Sequence, residues 1–142
     1  MINVCQACGV YRADQSARVQ DGIVECPECG AETGWRFRPL LLVGGASGTG
    51  KSAICRHLSL NGCGGIPLEA DILWNPYFDR PDERYRAFFD TWLRLAKNIA
   101  QCGEPVVLFG AGFAVPENIK CLVERRYFSR AHYLALVSEP AV

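Results

Sequence analysis

The chain has no apolar run long enough to cross a bilayer, no net charge and almost no histidine, and each lack removes a class of function. Without about 20 consecutive apolar residues, no membrane-spanning role and no membrane partner are expected. Fifteen Lys and Arg are matched by fifteen Asp and Glu, so the formal net charge is zero. No bulk field draws in nucleic acid or an anionic membrane surface. The two histidines, His57 and His132, have no triad partner close in sequence, which argues against an activated nucleophile. No secretory signal pattern precedes the first cysteines, so the reducing cytoplasm is the expected compartment.

What is present is concentrated in two places. Residues 45 to 52 read Gly45-Ala46-Ser47-Gly48-Thr49-Gly50-Lys51-Ser52, a complete G-x-x-x-x-G-K-[ST] pattern directly behind the apolar run Leu40 to Val43. Such a loop works between a buried strand and the start of a helix, where successive N–H groups converge on phosphate oxygens. Glycines at 44, 45, 48 and 50 free the backbone for that turn. The loop predicts a bound nucleoside triphosphate, ATP, with the Lys51 ammonium against its β- and γ-phosphates and the Ser52 hydroxyl on Mg²⁺.

The second place lies upstream. Cys5-Gln6-Ala7-Cys8 and Cys26-Pro27-Glu28-Cys29 are two C-x-x-C pairs with seventeen residues between them, the spacing of a four-thiolate zinc ribbon. Gly9 and Gly30 follow the pairs and suit tight turns whose amides face the sulfurs. Four thiolates leave Zn²⁺ no open position, so this metal is expected to be structural. Two disulfides or a redox-active dithiol are the competing readings of the same cysteines, and the expected cytosolic setting favours metal. Cys55, Cys63, Cys102 and Cys121 stand singly and read as small buried hydrophobes.

At 142 residues and 49% hydrophobic, the chain can bury one ordinary core plus a small metal-held module. It divides near residue 38. Residues 1–38 are thin in hydrophobic content and read as a β-ribbon, with short strands at Tyr11 to Arg12, Ala17 to Gln20 and Ile23 to Glu25 around turns at Asp14 and Asp21-Gly22. Residues 39–142 read as βα units. The predicted elements are a strand at Leu40 to Val43, a helix over 51–60 ending at Asn61-Gly62, and a strand Ile66 to Ala70 closing on Asp71. A helix opens at Pro81-Asp82-Glu83 with an apolar stripe of Tyr85, Phe88, Phe89, Trp92, Leu95, Ala96 and Ile99, assigned to packing alone. A central strand Val106 to Phe109, a helix from Pro116 to about Arg126, and a strand Tyr133 to Val137 follow. This alternation predicts an α/β fold: a parallel sheet with helices on both faces and a nucleotide at the carboxyl ends of the strands.

From Leu40 to Val137 the chain resembles a P-loop kinase of the nucleoside, shikimate and gluconate kinase type, within the AAA-type ATPases in the broad sense. The resemblance rests on the loop Gly45 to Ser52 and on Glu69-Ala70-Asp71, which is similar to the acidic motif by which such kinases hold substrate and metal. Many P-loop proteins carry an aspartate after the strand Val106 to Phe109; here Gly110-Ala111-Gly112 stands there, as in shikimate-type kinases. The resemblance implies transfer of the γ-phosphoryl group to a small hydroxyl-bearing acceptor. Lys51 would act on the donor, Asp71 would receive or orient the acceptor hydroxyl, and Glu69 would substitute for it or touch the metal through water. Gly110 and Gly112 would let the backbone approach the ligand. Arg84, Arg86, Arg94, Arg125 and Arg126 read as solvated helix-face charges, any of which is a candidate for a substrate anion. Such kinases continue into an arginine-bearing lid and a further strand, so a chain closing on Ser138-Glu139-Pro140-Ala141 and Val142 is expected to be a fragment or a reduced variant.

A reading from another class stays open. A zinc ribbon beside a nucleotide site also describes a regulatory or nucleic-acid-associated switch without kinase activity. The ribbon's basic residues, Arg12, Arg18, Arg36 and Arg38, are few and interrupted by acids, which weighs against it.

Overall fold

The computed structural model describes residues 3–138; residues 1, 2 and 139–142, including the expected break in the kinase pattern after Ser138, lie outside it. Two sheets organise the chain. A three-stranded antiparallel sheet is built from β1 (Ser16–Arg18), β2 (Ile23–Glu25) and β3 (Glu32–Gly34) in that order. The second is fully parallel: β4 (Leu40–Gly45), β5 (Ile66–Glu69), β6 (Val106–Phe109) and β7 (Ala131–Leu136) lie in the order β5-β6-β4-β7. α1 (Lys51–Asn61) joins β4 to β5, α2 (Arg86–Ala100) joins β5 to β6, and α3 (Pro116–Lys120) precedes β7.

Strand order fixes where the helices go. The step from β4 to β5 runs across the sheet in one direction and the later steps run back, so right-handed crossovers place α1 on one face and α2 and α3 on the other. Burial follows that rule through the alternation of side chains along a strand. Leu40, Leu42, Val106 and Leu108 join Phe88, Trp92, Leu93 and Ile119 in the larger core. Val43, Val107 and Phe109 join Cys55 of α1 on the opposite face, with Leu41 packed at its margin. β6 is buried along its whole length, as a central strand covered on both faces must be.

Several expected elements differ. Tyr11 contributes only an isolated bridge to Val4, and β3 was not expected because its Glu32, Thr33 and Gly34 are exposed and show no alternation. Pro81-Asp82-Glu83 do not open α2. Residues 80–85 instead close a turn, with the Glu83, Arg84 and Tyr85 amides bonded to Arg80 and Pro81 carbonyls, and the helix starts at Arg86. The helix expected to reach Arg126 stops at Lys120 and resumes as a 3₁₀ turn over Val123–Tyr127, because Leu122 is extended. Cys63, Cys102 and Cys121 are exposed; Cys55 alone of those four single cysteines is buried.

The two sheets are joined through Tyr127. Its ring stacks against Trp35 at 5.3 Å, its hydroxyl donates to Ala13 O and accepts from Gln15 N, and Trp35 Nε1 donates to Tyr127 O. Beneath it lies a fully buried ion pair. Lys97 Nζ contacts the Glu124 carboxylate, donates to Asn3 Oδ1 and stands 4.1 Å from the Tyr127 ring centroid. A charged pair with no exposure is tolerated only when its remaining hydrogen-bond capacity is met, and Asn3 meets part of it. Burial pulls the Lys97 ammonium below its ordinary value, opposed by Glu124.

Candidate functional site

Each cysteine pair sits in the same backbone knuckle. Gly9 N donates to Cys5 O and Gly30 N to Cys26 O, both at 2.9 Å; Cys5 N reaches Val10 O at 3.0 Å and Cys26 N reaches Ala31 O at 2.9 Å. The knuckles turn through glycines with φ of +73° and +71°, a region closed to most side chains. They bring the sulfurs of Cys5, Cys8, Cys26 and Cys29 within 4.8 Å of one another. Sulfurs each about 2.3 Å from one tetrahedral Zn²⁺ stand about 3.8 Å apart. The Cys5–Cys29 and Cys8–Cys26 separations are 3.6 and 3.9 Å, so the cluster fits a four-thiolate metal centre. The four cysteines are free, with their sulfurs well beyond the roughly 2.0 Å of a disulfide bond. The Cys8 and Ala7 amides hold the Cys5 thiol down to about 6, while the neighbouring sulfurs and burial push Cys29 up to about 12.

The glycine-rich loop lies where the sequence predicts, between β4 and α1 at the carboxyl edge of the parallel sheet. Gly45, Gly48 and Gly50 take positive φ, whereas Gly44 does not. Gly44 is glycine for another reason: a Cβ there would stand 2.6 Å from Ala114 Cβ and 2.7 Å from Ala114 N. α1 is capped by Gly50 and has no acidic residue in its first turn, which leaves its positive end open to an anion. Lys51 Nζ donates to the Gly45 and Ala46 carbonyls at 2.9 and 2.7 Å, contacts that a phosphate would replace. The Ser52 hydroxyl donates to the Glu69 carboxylate, so two hard oxygen donors stand together, a set suited to Mg²⁺.

A hollow of about 330 Å³ opens over this loop, lined by Ser47, Gly48, Lys51, Ser52, Glu69 and Asp71 among others. β5 is in register with β6 so that Glu69 lies opposite Phe109, and the 3₁₀ turn over Ala70–Leu73 then carries Asp71 past the sheet edge. Thus the fold brings Lys51, Ser52, Glu69 and Asp71 together. Gly110 also lines the hollow, but its lack of a side chain answers to packing: a Cβ would meet Ala70 Cβ at 2.8 Å and Phe113 at 3.0 Å. Cys55 is buried nearby, and burial pushes its thiol up, so it stays protonated and inert.

Asp71 lines a second, larger cavity of about 650 Å³ with Trp74, Tyr85, Phe88, Phe89 and Asn118. Phe88 and Phe89, assigned by their helical spacing to packing alone, therefore serve both the core and this cavity. Trp74 meets Phe88 edge-on at 5.2 Å and Tyr85 at 5.9 Å. Arg84 and Tyr85 both hold positive φ, at 52° and 55°, a backbone cost on the order of 1–3 kcal/mol each, of the kind that collects at ligand sites. Sequence reasoning passed over Trp74 and Asn118. The available signal was an aromatic residue directly behind an acidic motif and outside any helical stripe.

Among the expected arginines, Arg94 pairs with Asp90 and Glu124, Arg125 donates to Phe128 O, and Arg126 donates to Val123 O and Gln15 O. Arg84 and Arg86 line a separate hollow facing Glu83 and Glu117. On the ribbon, Arg12 is bound to Asp14 and Glu28, Arg18 to Asp21, Glu25 and Glu32, and Arg36 to Gln101. Among the described residues no helix is long and apolar enough to cross a membrane. Comparison with family models, with curated proteins and with solved structures returns no match for this chain.

Proposed function

We propose that this chain is an ATP-dependent phosphotransferase acting on a small hydroxyl-bearing molecule. The observation that carries the reading is the position of Asp71, which lines both the hollow over the glycine-rich loop and the aromatic cavity beside it. One carboxylate thus stands between a site suited to a triphosphate and a site suited to an acceptor. On the donor side, loop amides and the start of α1 receive phosphate oxygens, and Lys51 places its charge against them. Ser52, with Glu69 behind it, would hold Mg²⁺, which would supply neutralisation of charge on the phosphates.

The acceptor hydroxyl gives its proton to the Asp71 carboxylate as its oxygen forms the new bond to the γ-phosphorus. The bond from that phosphorus to the β–γ bridging oxygen breaks, and ADP leaves with both electrons. Little covalent help is needed, so alignment and charge neutralisation do most of the work. In the ribbon, Zn²⁺ bound by Cys5, Cys8, Cys26 and Cys29 supplies folding energy rather than chemistry. A cytoplasmic setting belongs to the same reading, because those thiols must stay reduced.

A nucleic-acid-associated switch finds less support, since Arg12 and Arg18 are neutralised by ribbon acids and a phosphate backbone would have to displace them. Calorimetry with Mg·ATP on the parent chain and on Lys51→Ala tests the proposal. The parent is expected to bind and the variant to lose tenfold or more in affinity while keeping its fold. Equal affinity in both would show that the loop does not hold the triphosphate.

A further inference from the structure

The acceptor's chemistry is written in the cavity on the far side of Asp71. Three of its walls are the rings of Trp74, Tyr85 and Phe88, with Trp74 5.9 Å from Tyr85 at 55° and 5.2 Å from Phe88 at 78°. Trp74 is 45% exposed and Tyr85 36%, so both rings present surface to the cavity. Tyr85 is held there by a turn that forces it and Arg84 into the left-handed region. A volume of about 650 Å³ falls within the range of small-molecule sites.

Beyond the Tyr85 hydroxyl and the Trp74 indole N–H, polar side chains stand at two points of the lining. Asp71 stands at the edge shared with the loop hollow. Asn118 donates one amide hydrogen to Gly112 O at 3.0 Å, which leaves Oδ1 as an acceptor and the second amide hydrogen as a donor toward a ligand. Among the described residues the lining contains no Lys, Arg or His; Arg84 and Arg86 line a neighbouring hollow with Glu83 and Glu117, which meets this cavity at Asn118. An acid entering the cavity would meet the Asp71 carboxylate, with Lys51 set back in the adjoining hollow, whereas a flat neutral ring meets aromatic walls at low cost.

We infer that this cavity takes a planar, uncharged heteroaromatic molecule carrying a hydroxyl arm, its ring among Trp74, Tyr85 and Phe88 and its hydroxyl toward Asp71. Nucleosides and hydroxymethyl heteroarenes have this form; polyhydroxy acids such as shikimate and gluconate do not. The inference rests on the phosphotransfer reading only in calling the ligand an acceptor, because the cavity's preference is a matter of binding.

Titration of the full chain, without ATP, against a set of nucleosides, hydroxymethyl heteroarenes, shikimate and gluconate tests it. Binding is expected for members of the first two groups and not for the acids. Trp74→Ala should weaken that binding about tenfold or more, as loss of one stacking ring does. Tyr85→Gly should also weaken it while leaving thermal unfolding close to the parent's, since glycine relieves the positive φ. Absence of binding by every aromatic member, binding unaffected by Trp74→Ala, or tighter binding of shikimate or gluconate would each overturn the inference. Labelled-ATP assays separate the two readings. Trp74-dependent binding with no phosphoryl transfer to any member would sink the phosphotransferase and leave the heteroaromatic site standing. Transfer to shikimate or gluconate would do the reverse.

Discussion

Asp71 and Glu69 are two residues apart yet do different work, because the turn between them faces them differently. Glu69 ends β5 and is engaged by Ser52, while Asp71 rides a 3₁₀ turn into the gap between two cavities. Asp71→Asn keeps the shape and removes the proton acceptor. The expected outcome is ATP affinity within a few-fold of the parent and phosphoryl transfer slowed by roughly 10² or more, the scale of a lost general base. Single-turnover transfer to a confirmed acceptor measures it, and transfer at the parental rate would remove Asp71 from the chemistry. Glu69→Gln, acting beside Ser52, should instead raise the Mg²⁺ concentration needed for nucleotide binding.

At the scale of elements, the ribbon depends on its knuckles. β1, β2 and β3 are three residues each and bury little beyond Val24, so the strands alone cannot offset the entropy of ordering the segment. A metal held by the four cysteines, together with the packing of Val24 and Trp35 against Tyr127, would supply the difference. Cys26→Ser is expected to release one zinc per chain, measured by elemental analysis, and to disorder the ribbon. The ribbon also covers Lys97 and Tyr127 through Asn3, Ala13 and Gln15, so the same variant should lower the unfolding temperature of the rest of the chain. Full zinc content in the variant would argue against the four-thiolate centre. Unchanged unfolding of the α/β part would mean that the two sheets stand independently.

For the molecule as a whole, the joint between the sheets carries a pH signature. Burial raises the Tyr127 hydroxyl from near 10 up to about 12, against the opposing effect of the Gln15 amide. Between those values the unfolded chain has lost a proton that the folded chain keeps, so stability falls as pH rises. The slope for this one group reaches about 1.4 kcal/mol per pH unit. Lys97 works in the other direction, since its ammonium is pulled below its ordinary value and the unfolded chain binds its proton more readily. The difference between the parent and Tyr127→Phe isolates the tyrosine. The variant should lose about 1–3 kcal/mol at pH 8, from two hydrogen bonds, and this gap should narrow from pH 10 to 11 in denaturant titrations. A gap constant with pH would place Tyr127 in water.

Features encoded over a few adjacent residues were determined by sequence alone. The C-x-x-C-G knuckles close through hydrogen bonds within five residues, the glycine loop needs only its own backbone freedom between an apolar run and a helix, and β4 and β6 announce themselves as uninterrupted apolar runs. These forces are local, and side-chain type states them directly. Tertiary structure decided which distant residues face one another. It set Asp71 beside Trp74, Tyr85 and Asn118, buried Lys97 against Glu124, stopped α3 short so that Tyr127 could reach the ribbon, and made a third strand of Glu32 to Gly34. None of these carries a periodic pattern, because each is stabilised by partners far away in the chain, and those partners become neighbours only after the sheet order β5-β6-β4-β7 has formed.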